Sequence, residues 1–160
     1  RSTIKEIGAR EYPEVQIDDY HIDAMSAHMV RRLKDFDVII TTNLFGDILS
    51  DLAGELTGSL GLGPAINTND HQCMAQAAHG SAPDIAGKNI ANPVGIMLSA
   101  VMMYDWLADR YQDEKLGRIA RLMEDGIIKT MEEGFVTPDL GGTASTSGFA
   151  EEIRKKIEMA

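Results

Sequence analysis

The chain has a single cysteine, Cys73, so no internal disulfide can staple the fold, and such cysteine usage fits a reducing compartment. Positive charge is scarce: 15 Lys and Arg stand against 25 Asp and Glu, a formal net charge of −10. No Lys/Arg cluster is available to meet phosphates, which argues against nucleic acid and against anionic membrane surfaces as partners. No basic segment leads into an apolar run, so a secretory leader is not expected, and a cytoplasmic location is. The most apolar stretch, residues 93–108, is interrupted by Asp105 and is short for a bilayer span. It reads as a buried core helix. A Gly-x-Gly-x-x-Gly fingerprint is also missing. The nearest candidate, Gly58-Ser59-Leu60-Gly61-Leu62-Gly63, spaces its glycines differently, so the dinucleotide fold built on that fingerprint is not supported.

What is present suffices for a core, since 44% of the 160 residues are hydrophobic. Residues 1–20 read as extended or irregular around Tyr12-Pro13. Residues 21–33 read as a helix with Ile22, Met25, Met29 and Leu33 on one face. The β-branched run at residues 36–42 predicts a buried strand. A turn at Asn43 leads into a helix near Phe45, striped by Ile48, Leu49, Leu52, Ala53 and Leu56. The glycine-rich break near residue 60 is the best boundary between two lobes, and a polar loop continues through Asp70. Helices follow at residues 93–108, 113–133 and 149–159, the second amphipathic and closed by Gly134. Residues 138–143 read as a loop. The class is α/β, with too few strands for a self-sufficient sheet. Met25, Met29, Met97, Met102 and Met103 read as core filling, and Cys73 receives no role.

The segment His79-Gly80-Ser81-Ala82-Pro83-Asp84-Ile85-Ala86-Gly87-Lys88-Asn89-Ile90-Ala91-Asn92-Pro93 carries the most information. Its glycines let the backbone approach a bulky ligand, and Asn92-Pro93 reads as an N-cap followed by the first helical residue. Upstream, Asp47 and Asp51 lie four apart on one helix, with Cβ atoms about 5–6 Å apart. Such a pair costs stability unless a cation lies between the carboxylates, and hard divalent ions prefer oxygen ligands. On spacing alone it also reads as a solvated acidic helix start, where Asp47 favours the macrodipole. Likewise His79 alone reads as a loop histidine, Asp84 as a turn residue and Asp23 as an N-terminal helix acid.

Taken in order, Asn43-Leu44-Phe45-Gly46-Asp47-Ile48-Leu49-Ser50-Asp51 and the 79–93 segment closely resemble the isocitrate/isopropylmalate dehydrogenase family. Its members are metal-dependent, NAD- or NADP-linked β-decarboxylating dehydrogenases. The resemblance runs from about Tyr12-Pro13 to the C-terminal helix and corresponds to the later part of the family's chain. It implies a two-lobe α/β fold whose dinucleotide-binding architecture lacks the Gly-x-Gly-x-x-Gly turn. Residues 1–57 would form part of the smaller, dimer-forming lobe and residues 58–160 the C-terminal part of the larger NAD-binding lobe.

The resemblance also implies roles. Asp47 and Asp51 match metal-ligand positions for Mg²⁺ or Mn²⁺, and Asp23 matches a third ligand that reaches the neighbouring subunit's site in a homodimer. His79, Gly80, Ser81, Ala82, Asp84 and Ile85 match the adenosine-binding loop, and Asn92 a contact to the adenine. Asp84 would accept hydrogen bonds from the ribose hydroxyls. A carboxylate there repels a 2′-phosphate, and the family's NADP users carry Lys-Tyr at this pair, so Asp84-Ile85 points to NAD. Many relatives carry Glu-Pro-Val where this chain has Gln76-Ala77-Ala78, at the nicotinamide end of the loop. No catalytic residue is assigned here, because the family's catalytic tyrosine, lysine and substrate-binding arginine cluster match no segment of this chain. The expected reaction is oxidative decarboxylation of a small 2-hydroxy acid: 3-isopropylmalate first, then isocitrate, homoisocitrate or tartrate. The alternative is a non-catalytic regulatory or structural subunit, or a truncated portion inactive alone.

Overall fold

The computed structural model describes residues 2–159 and divides into two compact units, one ending at Gly46 and one beginning at Asp47. The division falls inside the helix that spans Asn43–Thr57.

The first unit opens with α1 (Ser2–Glu11), where an extended segment was expected; Arg1 lies outside the described residues. Its large apolar residues, Ile4 and Ile7, give little periodic signal in the sequence. Gly8 is buried, and a Cβ there would run into the Ile17 side chain, while Lys5 pairs with Asp19 at 3.1 Å. Next comes α2 (Ile22–Arg32), burying Met25 and Met29 as the periodicity indicates. Tyr20 stands edge-on to His28 and Phe36, and Arg32 donates to the Tyr20 hydroxyl at 3.2 Å. The strand expected at residues 36–42 is absent. The segment belongs to no ladder among the described residues, and Val38 is 79% exposed. β-propensity describes fitness for a pleated, packed surface; without a partner strand it produces no strand.

The helix α3 (Asn43–Thr57) begins two residues before Phe45 and passes into the second unit. Its expected stripe is only partly covered: Leu49 is buried, but Ile48 and Leu56 are exposed. A 3₁₀ turn over Leu60–Leu62 follows, and then the region expected to be a polar loop forms a hairpin. Strand β1 (Pro64–Thr68) pairs antiparallel with β2 (Cys73–Ala77), Pro64 opposite Ala77 and Thr68 opposite Cys73. The turn hides the hairpin in the sequence, because its polar residues make the turn rather than end the strand. The Asn69 side-chain oxygen accepts from the backbone N–H groups of His71 and Gln72 at 2.8 and 2.9 Å, an Asx-type closure.

Helix α4 (Val94–Tyr111) packs on both strands and on α5 (Glu114–Glu132), which packs on α6 (Thr146–Glu158). Buried Val94, Val101, Ala120, Ile127, Phe149 and Ile153 form the core between these helices. Each fully buried aliphatic or aromatic side chain there contributes about 1.5–3 kcal/mol. Asp113 caps α5 by accepting from the Lys115 N–H, and Ser145 caps α6 through Gly148 N–H, placing the start of α6 three residues before Phe149. Gly134 follows α5 with φ +77°, the left-handed geometry that a glycine at this position supplies. No helix is long and apolar enough to cross a membrane among the described residues.

Candidate functional site

The loop between β2 and α4 is where the expected nucleotide residues fall, and its backbone is unusual. Ala78 N–H still bonds to the Gly63 carbonyl at 3.0 Å, extending the hairpin, and then the chain leaves the sheet. Three residues adopt left-handed conformations: Ala82 at φ +42°, Gly87 at +74° and Asn89 at +56°. Asn tolerates this region and glycine is free in it, but Ala82 is strained by roughly 1–3 kcal/mol. The 3₁₀ turn Pro83–Ile85 follows directly, so the strained residue launches the turn that carries Asp84. His79, Gly80, Ser81, Ala82 and Asp84 are exposed, Ile85 is half-buried, and His79 Nδ1 lies 3.0 Å from the Gly80 carbonyl. The Asp84 carboxylate has no partner among the described residues, and a Cβ on Gly80 or Gly87 would meet nothing within 4 Å. Packing within this chain therefore does not demand glycine at either position.

The far end of the loop is clamped. Asn89 donates to Ser147 Oγ at 2.8 Å and accepts from Ser147 N–H at 3.1 Å, and Thr146 bonds the carbonyls of Asn89 and Ala91 at 2.9 and 2.6 Å. Asn92 is buried. Its Oδ1 accepts from Val94 N–H at 3.0 Å, which is the capping bond expected of it. Pro93 (φ −88°) occupies the cap position itself, so the expected order of cap and first residue is shifted by one. The Asn92 amide nitrogen donates to Asp139 Oδ2 at 2.9 Å.

Asp139 is the residue that the sequence did not reveal. Its Oδ2 also receives the Ser59 hydroxyl at 2.5 Å, and its Oδ1 the Thr137 hydroxyl at 2.6 Å. Burial of the oxygens alone would push the carboxyl up. The hydrogen bonds from Ser59, Thr137 and Asn92 outweigh that and hold it below the ordinary aspartate value. The only sequence signal was a polar residue in each of three Gly/Pro turns, with nothing to pair them. Ser99, on the buried face of α4, is a second such residue. It accepts from Ala65 N–H at 3.1 Å, and its hydroxyl lies 2.6 Å from the Gln76 carbonyl, tying the helix to both strands.

Among the acidic candidates, Asp47 and Asp51 lie one turn apart on α3, both exposed, with no hydrogen bond to either carboxylate among the described residues. Asp23 lies in the first turn of α2, in the other compact unit, and its Oδ1 accepts from Ala24 N–H at 2.8 Å. No group of three His, Cys, Asp or Glu side chains suited to a metal is assembled among the described residues. A groove of about 540 Å³ at the hairpin turn, bounded by Asn67, Gln72 and Met74, contains none of the candidate residues.

Residues 1–153 match the family model described as isocitrate/isopropylmalate dehydrogenase. The chain is 46% identical over 156 residues to an isocitrate/homoisocitrate dehydrogenase of Thermus thermophilus, covering 98% of this chain and 44% of that protein. It is 43% identical over 150 residues to a 3-isopropylmalate dehydrogenase of Methanothermobacter thermautotrophicus, covering 94% and 44%. The crystal structure of an isocitrate dehydrogenase from Methylococcus capsulatus superposes with a TM-score of 0.86 at 40% identity, over 98% of this chain and 45% of that one. The chain thus spans less than half the length of these relatives.

Proposed function

From a chain that belongs to the isocitrate/isopropylmalate dehydrogenase family, we propose an NAD-dependent, divalent-metal-dependent oxidative decarboxylation of a 2-hydroxy acid. This segment supplies dinucleotide and metal contacts, and the remaining length of the protein supplies the proton-transfer and substrate-binding groups. The observation that carries the reading is Asp84: an unpartnered carboxylate on an exposed 3₁₀ turn, flanked by glycines with open space around them.

The residues fit the groups proposed. An ionised carboxylate is acceptor-only, so Asp84 can take hydrogen bonds from both hydroxyls of an adenosine ribose while opposing a 2′-phosphate. Gly80 and Gly87 leave room for the nucleotide, and Asn92 closes the loop. Asp47 and Asp51 offer adjacent hard oxygen donors for Mg²⁺ or Mn²⁺. A third donor is needed, and Asp23 of a second copy of the chain in a homodimer is proposed for it. When bound, the cation supplies polarisation of the substrate oxygen, and NAD supplies the hydride acceptor. This chain's own contribution is to orient both.

The relatives' names divide between 3-isopropylmalate and isocitrate or homoisocitrate. Of these, 3-isopropylmalate is proposed first, then isocitrate, homoisocitrate and tartrate. The test is NAD reduction by the full-length enzyme with each of the four acids, with Mg²⁺ or Mn²⁺ and then with a chelator. Turnover that needs the cation and is fastest with 3-isopropylmalate is expected. Inactivity on all four acids, or full activity after exhaustive chelation, contradicts the reading.

A further inference from the structure

Three segments far apart in sequence meet at one carboxylate. Ser59 comes from the glycine turn after α3, Asn92 from the junction of the 79–91 loop with α4, and Asp139 with Thr137 from the turn after α5. The turn closes tightly on this point: a Cβ on Gly61 would lie 2.7 Å from Asn92 Cβ and 3.2 Å from Asp139 Oδ2. Ser59 Oγ also accepts from Gly61 N–H at 3.0 Å, so its own proton is free to go to Asp139. An amide can in principle sit in either of two flipped orientations. Here it has one: the carboxylate can only accept, so Nδ2 must face Asp139 and Oδ1 must face the Val94 N–H.

We propose that Asp139 is a positioning residue for the dinucleotide: it locks the amide orientation of Asn92 and thereby sets where the 79–91 loop ends. This inference rests on the reading of that loop as the nucleotide site. Asp139 need not touch the nucleotide. Its bond to Asn92 fixes which vertices of that amide remain for a ligand, namely one N–H of Nδ2 and one lone pair of Oδ1.

The geometry makes the role separable from simple stability. Asp139→Ala removes the acceptor for Asn92 Nδ2 and leaves the amide unheld, and Asn92→Asp sets two carboxylates against each other, whereas Asn at 139 alone can keep an oxygen toward Asn92 and turn its nitrogen to the Thr137 hydroxyl. Exchanging the pair as Asn92→Asp with Asp139→Asn restores one donor facing one acceptor, with Val94 still capped. In the full-length enzyme Asn92→Asp and Asp139→Ala are each expected to raise the KM for NAD roughly tenfold, with kcat moving far less, and adding Asp139→Asn to Asn92→Asp to recover most of that loss. If the single variants do not fold, Ser59→Ala carries the test, with an expected rise of about threefold. Asp84→Lys is measured alongside. If it raises the KM for NAD while the Asp139 and Ser59 variants leave it unchanged, or if the exchange restores thermal stability but not KM, the positioning role is overturned. If Asp84→Lys has no effect either, the loop reading itself fails.

Discussion

At the scale of single residues, two carboxylates stand in opposite situations. Asp84 is exposed with no partner among the described residues, whereas Asp139 accepts from donors in three turns. Those bonds have a pH signature. Asp139's carboxyl is held below the ordinary aspartate value, so the folded state prefers it ionised. The resulting stabilisation is fully present above the unfolded-chain pKa of about 3.9 and is lost as pH falls through the lower folded value. Thermal midpoints measured from neutral pH downward are expected to drop more steeply below about pH 4 for the natural protein than for Asp139→Asn. Parallel acid limbs for the two proteins would show that the carboxylate carries no such linkage. Of the two residues, Asp84 stands out as a candidate from its neighbours in the chain, because a loop motif is local. Asp139 does not, because its three partners lie 80, 47 and 2 positions away and only folding unites them.

At the scale of elements, periodic helices were readable and unpaired or turn-defined segments were not. Residues forming α2, α4 and α5 show their buried faces in the sequence, whereas α1 gives little periodic signal and packs Gly8 against Ile17. The β1–β2 hairpin was hidden by an Asn-rich turn, and the 36–42 run had strand composition without a partner. α4 offers a clean test of packing against propensity. In an exposed helix Gly→Ala typically stabilises by about 0.5–1 kcal/mol. At Gly95 the new Cβ would lie 2.9 and 3.0 Å from the carbonyl oxygens of Gly61 and Gly63. Both are backbone atoms with little freedom to retreat. Overpacking of this kind costs about 1–3 kcal/mol, so Gly95→Ala is expected to lower the thermal midpoint and Gly80→Ala to leave it unchanged or raised. A stabilised Gly95→Ala would mean that the glycine turn yields easily. The acidic pair on α3 and Asp23 on α2 are tested together. If the site is shared between subunits, mixing inactive Asp23→Asn with inactive Asp47→Asn in full-length dimers regains activity at one site per heterodimer. Confirmed heterodimers without activity would contradict the sharing.

At the scale of the whole molecule, the described surface keeps apolar residues in the open: Val38 at 79%, Leu44 at 68% and Ile40 at 67% exposure. Large apolar side chains left in the open are ones that another protein surface can cover. The chain spans under half of its relatives' length. The 160 residues alone are therefore expected to show no dehydrogenase turnover, to bind NAD weakly at best and to bind a hydrophobic dye. Robust NAD reduction by this segment alone with any of the four acids would overturn that. The central claim is that Asp84-Ile85 makes this an NAD site, and the ratio of kcat/KM for NAD to that for NADP tests it most directly. It should be measured on the full-length enzyme and on its Asp84→Lys/Ile85→Tyr variant. The account predicts a ratio well above one that falls by about a hundredfold or more in the variant, the scale of mispairing a desolvated charge. A natural enzyme that already prefers NADP, or a ratio indifferent to the substitution, would contradict it.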